Sequence, residues 1–289
     1  MVHREAVTTM ARYQVILAYD GTRLMGSQRQ AKSDGSGSPE GELRPRTVQG
    51  ELEKALRGLG WTDGSVLLAG RTDSGVHATG QVAAFDLDWQ HADSDLVNAM
   101  NAALPADLAV RGARTVAADF HPRFDAKSRT YRYSLFCGPV RDPLRERFAW
   151  RAWPDVNKER LVETASIFTG RHDFALFGSP TSPQGTTVRT VTRSEWRQAA
   201  GEWQYEVQAD AFLYRMVRRL VFVQVAVAQG KLSVEAVAGA LAGQAEAGGP
   251  TRRVATEGSV ETQSKDPKRT GLPAGLAPAH GLKLVEVTY

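Results

Sequence analysis

Apolar and polar positions alternate along "RYQVILAYDGT", placing Tyr13, Val15, Leu17 and Tyr19 on one side before Asp20-Gly21 ends the run, the pattern of a half-buried strand. After Thr47 the period lengthens. Val48, Leu52, Ala55, Leu56 and Leu59 recur at helical spacing, with Thr47 as the expected cap and Gly58 and Gly60 closing the helix. "SVLLAG" and "GQVAAFDL" read as strands, "DSDLVNAMNAAL" as a helix stopped by Pro105, and "DLAVRGARTVA" as a further strand. Beyond these, "SRTYRYSLF" alternates with Arg129, Tyr131, Tyr133 and Leu135 on one face, and Asp155 is the expected cap of the helix "VNKERLVETASIF". "TVRTVTRSEWRQ" and "EWQYEVQAD" form a predicted hairpin around Ala200-Gly201. "AFLYRMVRRLVFVQVAVAQG" carries the longest helical pattern, although its valines would also suit a strand. Ser233 starts a helix in "VEAVAGALAG", and "GLKLVEVTY" is a final strand.

Strands and helices mix in both halves with hairpin spacing, so the expected class is α+β with a mostly antiparallel sheet rather than a doubly wound one. Two domains are expected, 12–118 and 119–289. Two stretches depart from this texture. Residues 30–46 are rich in Gly, Ser, Pro and charge and read as a flexible insert, and residues 244–275 read as a second long polar loop.

A chain of 289 residues with 42% hydrophobic and 24% charged content can build a substantial core. No apolar run approaches the roughly 18 residues needed to cross a membrane, and the N-terminus lacks an apolar signal region, so a cytoplasmic protein is expected. The single cysteine, Cys137, excludes an intramolecular disulfide and a cysteine-rich zinc site. Net charge is only +4, but ten Lys/Arg face four acids between Arg111 and Arg151, a surplus of six in one segment. Nine of the ten are arginines, interleaved with Phe120, Phe124, Tyr131 and Tyr133. Arginine matches phosphate with a planar fork and stacks on bases, so this distribution points towards nucleic acid.

The stretch between the strands "SVLLAG" and "GQVAAFDL" raises a chemical question. Residues 70–80 place Asp73 on a loop punctuated by glycine at 70, 75 and 80, with Arg71 before it and His77 after it. Such an aspartate often only closes a turn. Asp73 and His77 supply two metal ligands with no evident third, and Ser74 with His77 lies outside any nucleophile-elbow pattern. A phosphate cradle would lead into a helix, whereas this loop leads into a strand. Spacing alone leaves the chemistry open.

"AGRTDSGVHATGQVAAFD" closely resembles the signature of the tRNA pseudouridine synthase A family, Ala-Gly-Arg-Thr-Asp, any residue, Gly-Val-His-Ala. "LAYDGTRLMGSQRQ", "TVQGELEKAL", "FHPRFDAKSRTYRYSLF", "GRHDFALF", "FLYRMVRRLV" and "LAPAHGLKLVEVTY" are similar to further family blocks, in the family's order and over nearly the whole chain. The resemblance implies the pseudouridine synthase fold, with two similar α/β subdomains, a mostly antiparallel sheet flanked by helices, and a basic active-site cleft between the subdomains. It implies a homodimer that isomerises uridine to pseudouridine in tRNA, in the anticodon stem-loop at positions 38 to 40, with neither cofactor nor catalytic metal.

By the same resemblance Asp73 is the nucleophile. A carboxylate of ordinary pKa, about 3.9, is charged at neutral pH and can attack carbon. Arg71 matches an arginine that assists extrusion of the target base from its stem by filling the vacated space, with a simple phosphate contact as its other reading. Tyr131 matches a tyrosine that stacks on the target base and takes its C5 proton, with Tyr133 on the same face as its competitor for that role. Arg218 matches an arginine that ion-pairs with the nucleophile. Arg123 and Arg129 are expected to bind the RNA, and His77, His172 and Asp173 to be architectural. The chain departs from the family pattern at three places: Ser27 stands where tryptophan is common, Arg219 where asparagine is usual, and Phe222 where glycine is usual. Phe222 is expected to be absorbed by a small neighbour such as Ala226. A tRNA-binding protein without chemistry is the alternative reading, and a metal-dependent hydrolase lacks a ligand set.

Overall fold

A computed structural model describes residues 10–29, 45–182, 184–247 and 271–289. The described residues form two compact units, one running up to residue 129 together with 283–289 and the other lying within 130–282.

In the first unit, β1 (Met10–Tyr19) buries Tyr13, Val15, Leu17 and Tyr19, the alternating face expected of it. Asp20 then caps a short turn by accepting the Thr22 amide at 3.0 Å. The helix α1 (Val48–Arg57) begins where Thr47 accepts the Gly50 amide at 3.1 Å, and it buries Val48, Leu52, Ala55 and Leu56. β2 is reduced to Leu67–Leu68, followed by the Asp73 loop and the long β3 (His77–Asp88). Then come α2 (Asp93–Ala103), which buries Leu96 and Met100, and β4 (Leu108–Val116).

The second unit takes in β5 (Ser128–Cys137), β6 (Trp150–Ala152), α3 (Lys158–Ile167) and β7 (Gly170–Asp173). It continues through β8 (Val188–Ala199), β9 (Glu202–Ala209), α4 (Met216–Ala228) and α5 (Val234–Ala247). The β8–β9 hairpin turns through Ala200 (φ 50°) and Gly201 (φ 75°), two successive left-handed residues whose twist suits a tight hairpin. Strand order here is β5-β9-β8-β7, and β7–β8 and β8–β9 are antiparallel. The last strand, β10 (Leu282–Thr288), returns to the first unit and lies parallel to β3, giving the order β4-β1-β3-β10. β1 is antiparallel to both of its neighbours. The class is α+β with a mostly antiparallel sheet flanked by helices.

Three local expectations change, and one ambiguity resolves. α3 is capped by Asn157, whose side chain accepts the Arg160 amide at 2.8 Å, and not by Asp155 two residues earlier. Most of the 30–46 insert lies outside the described residues, but its last residue belongs to the fold. The Arg46 guanidinium holds Asp107 through two hydrogen bonds of 2.9 and 3.1 Å, and its carbonyl accepts the Met25 amide at 2.8 Å. α5 runs to Ala247, into the stretch expected to be loop, and 248–270 lie outside the described residues. The valine-rich segment is a helix, α4, in which ten of thirteen residues are buried. A helix apolar nearly all round loses the one-sided periodicity that separates helix from strand in sequence.

Candidate active site

Asp73 sits in a tight turn that its own backbone closes, with the Val76 amide donating to the Asp73 carbonyl at 3.2 Å. Gly75 occupies φ 79°, a left-handed conformation that costs glycine little and most residues more. The surrounding ties are side-chain and backbone hydrogen bonds from β1, residues 24–27 and β3. Ser27 exchanges two bonds with Thr72: its amide donates to the Thr72 carbonyl at 3.1 Å, and its hydroxyl accepts the Thr72 amide at 2.8 Å. The Thr72 hydroxyl meets the Tyr19 hydroxyl at 2.9 Å. Burial pushes the Tyr19 phenol up to about 12, so it stays protonated and can keep that bond at any physiological pH. Gln81 donates to the Gly70 carbonyl at 2.9 Å, and the Ser74 hydroxyl to the Leu24 carbonyl at 3.2 Å.

His77 is buried, and its Nδ1 accepts the Gly21 amide at 3.0 Å while lying 3.2 Å from Asp20. It therefore braces the loop's exit, the architectural role expected of it. Within this frame Arg71 is exposed, Thr72 buried and Asp73 half-buried. The loop thus buries Thr72 while leaving Arg71 exposed and Asp73 in part accessible.

The second unit carries Tyr131, Tyr133 and Arg218. Tyr133 is fully buried, and its hydroxyl donates to the Pro278 carbonyl at 2.8 Å. Burial raises its phenol well above the usual range, against the lowering influence of the Arg218 charge. Its ring and hydroxyl are committed to packing. Tyr131 is 8% exposed, with its ring edge-on to Phe212 at 5.1 Å. Arg218, on α4, clasps Ala277 from both sides: its Nε donates to the Ala277 carbonyl at 2.8 Å, and its carbonyl accepts the Ala277 amide at 3.1 Å.

The departures at 219 and 222 act on the same 273–277 segment. Arg219 donates to the Pro273 and Gly275 carbonyls, the latter at 3.1 Å, and its guanidinium lies 5.9 Å from the Phe222 ring centre. Gly275 supplies space for Phe222, since any Cβ there would collide with the ring.

Arg123 lies beside the exposed Phe124, its guanidinium 5.8 Å from that ring. Arg129 ties the neighbourhood together, donating to the Ala69 carbonyl at 3.2 Å and to the Arg123 carbonyl at 2.6 Å. The arginine-rich segment is less of an open cationic strip than its composition implies. Arg132 pairs with Glu206 at 2.8 Å, Arg141 and Arg151 with Glu146 at 3.2 Å each, and Arg145 with Glu202 at 3.6 Å. Sequence reasoning treated Ser27 only as a loss, and it missed Tyr19 and Gln81 as supports of the loop. Among the described residues, no helix is long and apolar enough to cross a membrane, and no group of three His, Cys, Asp or Glu side chains is placed to hold a metal ion.

Comparison with known proteins gives this arrangement its class. The family described as tRNA pseudouridine synthase matches residues 164–263. The tRNA pseudouridine synthase A of Neisseria meningitidis serogroup B is 38% identical over 227 residues, 78% of this chain and 82% of that protein. Those of Nitratidesulfovibrio vulgaris and Limosilactobacillus fermentum are 36% and 35% identical, each alignment covering 97% of this chain and 100% and 96% of the relative. A pseudouridine synthase is an isomerase, and so is this protein. More closely, the chain belongs to the tRNA pseudouridine synthase A family.

Proposed function

We propose that this protein converts uridine to pseudouridine at positions 38 to 40 of the tRNA anticodon stem-loop, with Asp73 as nucleophile. The observation that carries the reading is the Asp73 loop: an exposed Arg71 and a half-buried Asp73 stand on a turn whose surroundings are fixed by Ser27, Tyr19, Gln81 and His77. A reaction that must attack one carbon of an extruded nucleotide needs a nucleophile held to a fraction of an ångström.

In the proposed sequence Arg71 assists extrusion of the uridine, and the Asp73 carboxylate adds covalently to it. The N1–C1′ bond breaks, the base rotates, a C5–C1′ bond forms, and the bond to Asp73 breaks to return the free carboxylate. The C5 proton is lost to a base and N1 ends protonated, so substrate and product are isomers. Tyr131 stacks on the base and accepts the C5 proton. Arg218 supplies the positive charge that ion-pairs with the nucleophile and aims it. Arg123 and Arg129 hold RNA phosphates, and the enzyme works as a cytoplasmic homodimer.

The test is tritium release from tRNA carrying C5-tritiated uridine, compared among transcripts in which the uridines at 38, 39 and 40 are replaced by cytidine one at a time and together. The proposal expects release from the parent transcript and none when all three are replaced. Tight binding of tRNA without release would identify a binding protein, and release surviving the triple replacement would move the target elsewhere.

A further inference from the structure

We infer that Ser27 is a positioning residue for the reaction, holding the Asp73 carboxylate in register through the peptide of Thr72. The inference rests on the assignment of Asp73 as nucleophile. Ser27 is fully buried at 0% exposure, and all three of its polar groups are used. Its carbonyl accepts the Gln49 amide at 2.9 Å in the first turn of α1, its amide donates to the Thr72 carbonyl at 3.1 Å, and its hydroxyl accepts the Thr72 amide at 2.8 Å. A helix N-terminus leaves its first amides without intrahelical partners, so the bond to Gln49 also anchors Ser27 to a rigid element. The chain of contacts runs from α1 through Ser27 to Thr72, the residue immediately before Asp73.

Thr72 is fixed at every polar atom, since its hydroxyl is held by Tyr19 at 2.9 Å. On its other side Asp73 is closed into the turn by the Val76 amide. Between those constraints little backbone freedom remains, so a shift of the Thr72 peptide carries residue 73 with it. Only one of the Ser27 bonds depends on which residue stands at position 27. The amide and carbonyl contacts are open to any residue but proline, whereas the acceptor for the Thr72 amide is the serine hydroxyl. Without it a buried N–H is left unpaired, and the loop gains free energy by moving until that N–H finds water. Asp73 moves with it.

The test compares Ser27→Ala with Ser27→Thr, which keeps the hydroxyl. Three quantities are measured: single-turnover tritium release, tRNA affinity, and hydrogen exchange at the Thr72 amide. A misplacement on the order of 1 Å can lower a rate about a hundredfold, so Ser27→Ala is expected to slow the chemical step by about tenfold to a hundredfold. tRNA Kd should stay within about twofold, because phosphate contacts made elsewhere dominate affinity. Exchange at the Thr72 amide should accelerate in Ser27→Ala, and Ser27→Thr should recover most of the rate. If Ser27→Ala frees the Thr72 amide yet keeps the parent rate, the bond is only structural, and the proposal is overturned while Asp73 stands. Unchanged exchange at Thr72 in Ser27→Ala overturns it as well, whether or not Ser27→Thr folds. If Asp73→Asn keeps the parent rate, the assignment of Asp73 fails on its own evidence and takes this proposal with it.

Discussion

The loop bearing Asp73 and the helix bearing Arg218 are both held firmly, by different physics. The loop is pinned by separate polar contacts, from Ser27, Tyr19, Gln81 and His77, each between one side chain and one peptide or hydroxyl. A hydrogen bond of this kind contributes about 1 kcal/mol net, so no one of them sustains the fold. Helix α4 is embedded instead. Leu220, Val221, Val223 and Val227 are all at 0% exposure, and its one buried amide, Gln224, accepts the Trp196 indole N–H at 2.7 Å. The difference teaches where damage should register. Breaking a contact around the loop should change rate more than stability, and disturbing the packing around α4 should do the reverse.

Gly275→Ala carries the largest expected effect on stability. Gly275 has φ 143°, which side chains rarely adopt, and a Cβ there would enter the Phe222 ring. Backbone strain and overpacking together should destabilise the protein by about 2–4 kcal/mol in chemical denaturation. In a Phe222→Ala background the same change should cost at least about 1 kcal/mol less, because only the backbone strain remains. Equal costs in the two backgrounds would mean that Phe222 does not occupy the space Gly275 leaves.

A smaller effect is expected at the foot of the loop region, where Arg46 receives the Met25 amide and grips Asp107. Hydrogen bonds from the Arg46 guanidinium hold the Asp107 carboxyl below the usual carboxylate range. A carboxyl depressed in the folded state contributes stability that is present above its unfolded pKa of about 3.9 and is lost as pH falls through its folded value. Arg46 is 36% exposed, so solvent screening limits the loss in Arg46→Met to about 1 kcal/mol at neutral pH. The gap between parent and variant should be constant above about pH 5 and close as pH drops below about 4. A gap that widened on acidification would contradict the pairing.

Much of this was legible in the sequence because it is encoded locally. The alternation of β1, the Thr47 cap of α1 and the Ala200-Gly201 hairpin each follow from residues within a few positions of one another. The Asp73 loop was equally conspicuous, through its glycines and its likeness to a family signature. What escaped depends on partners distant in the chain. Ser27 read as a missing tryptophan, since nothing near it reveals that residue 72, forty-five positions on, offers an amide to its hydroxyl. Phe222 read as an intrusion because its space comes from Gly275. Arg46 looked like the end of a polar insert because its carboxylate partner Asp107 lies sixty-one residues away. Asp155 and Asn157 are both good caps, and which one the chain uses depends on where the helix docks.

The measurement that bears most directly on the account is single-turnover tritium release by Asp73→Asn beside its tRNA affinity. Asparagine keeps the size of the side chain and supplies no anionic nucleophile. The turn itself is closed by backbone, through the Val76 amide, and the ties from Ser27 and Tyr19 reach Thr72 and not residue 73. The fold and the loop should therefore survive the change. Release is expected to fall beyond the 10² to 10⁴-fold typical of a lost general base, with Kd for unmodified tRNA within about tenfold of the parent, since phosphate contacts carry most of the affinity. Release above about one per cent of the parent rate would exceed even a general-base loss and would mean that Asp73 is not the nucleophile.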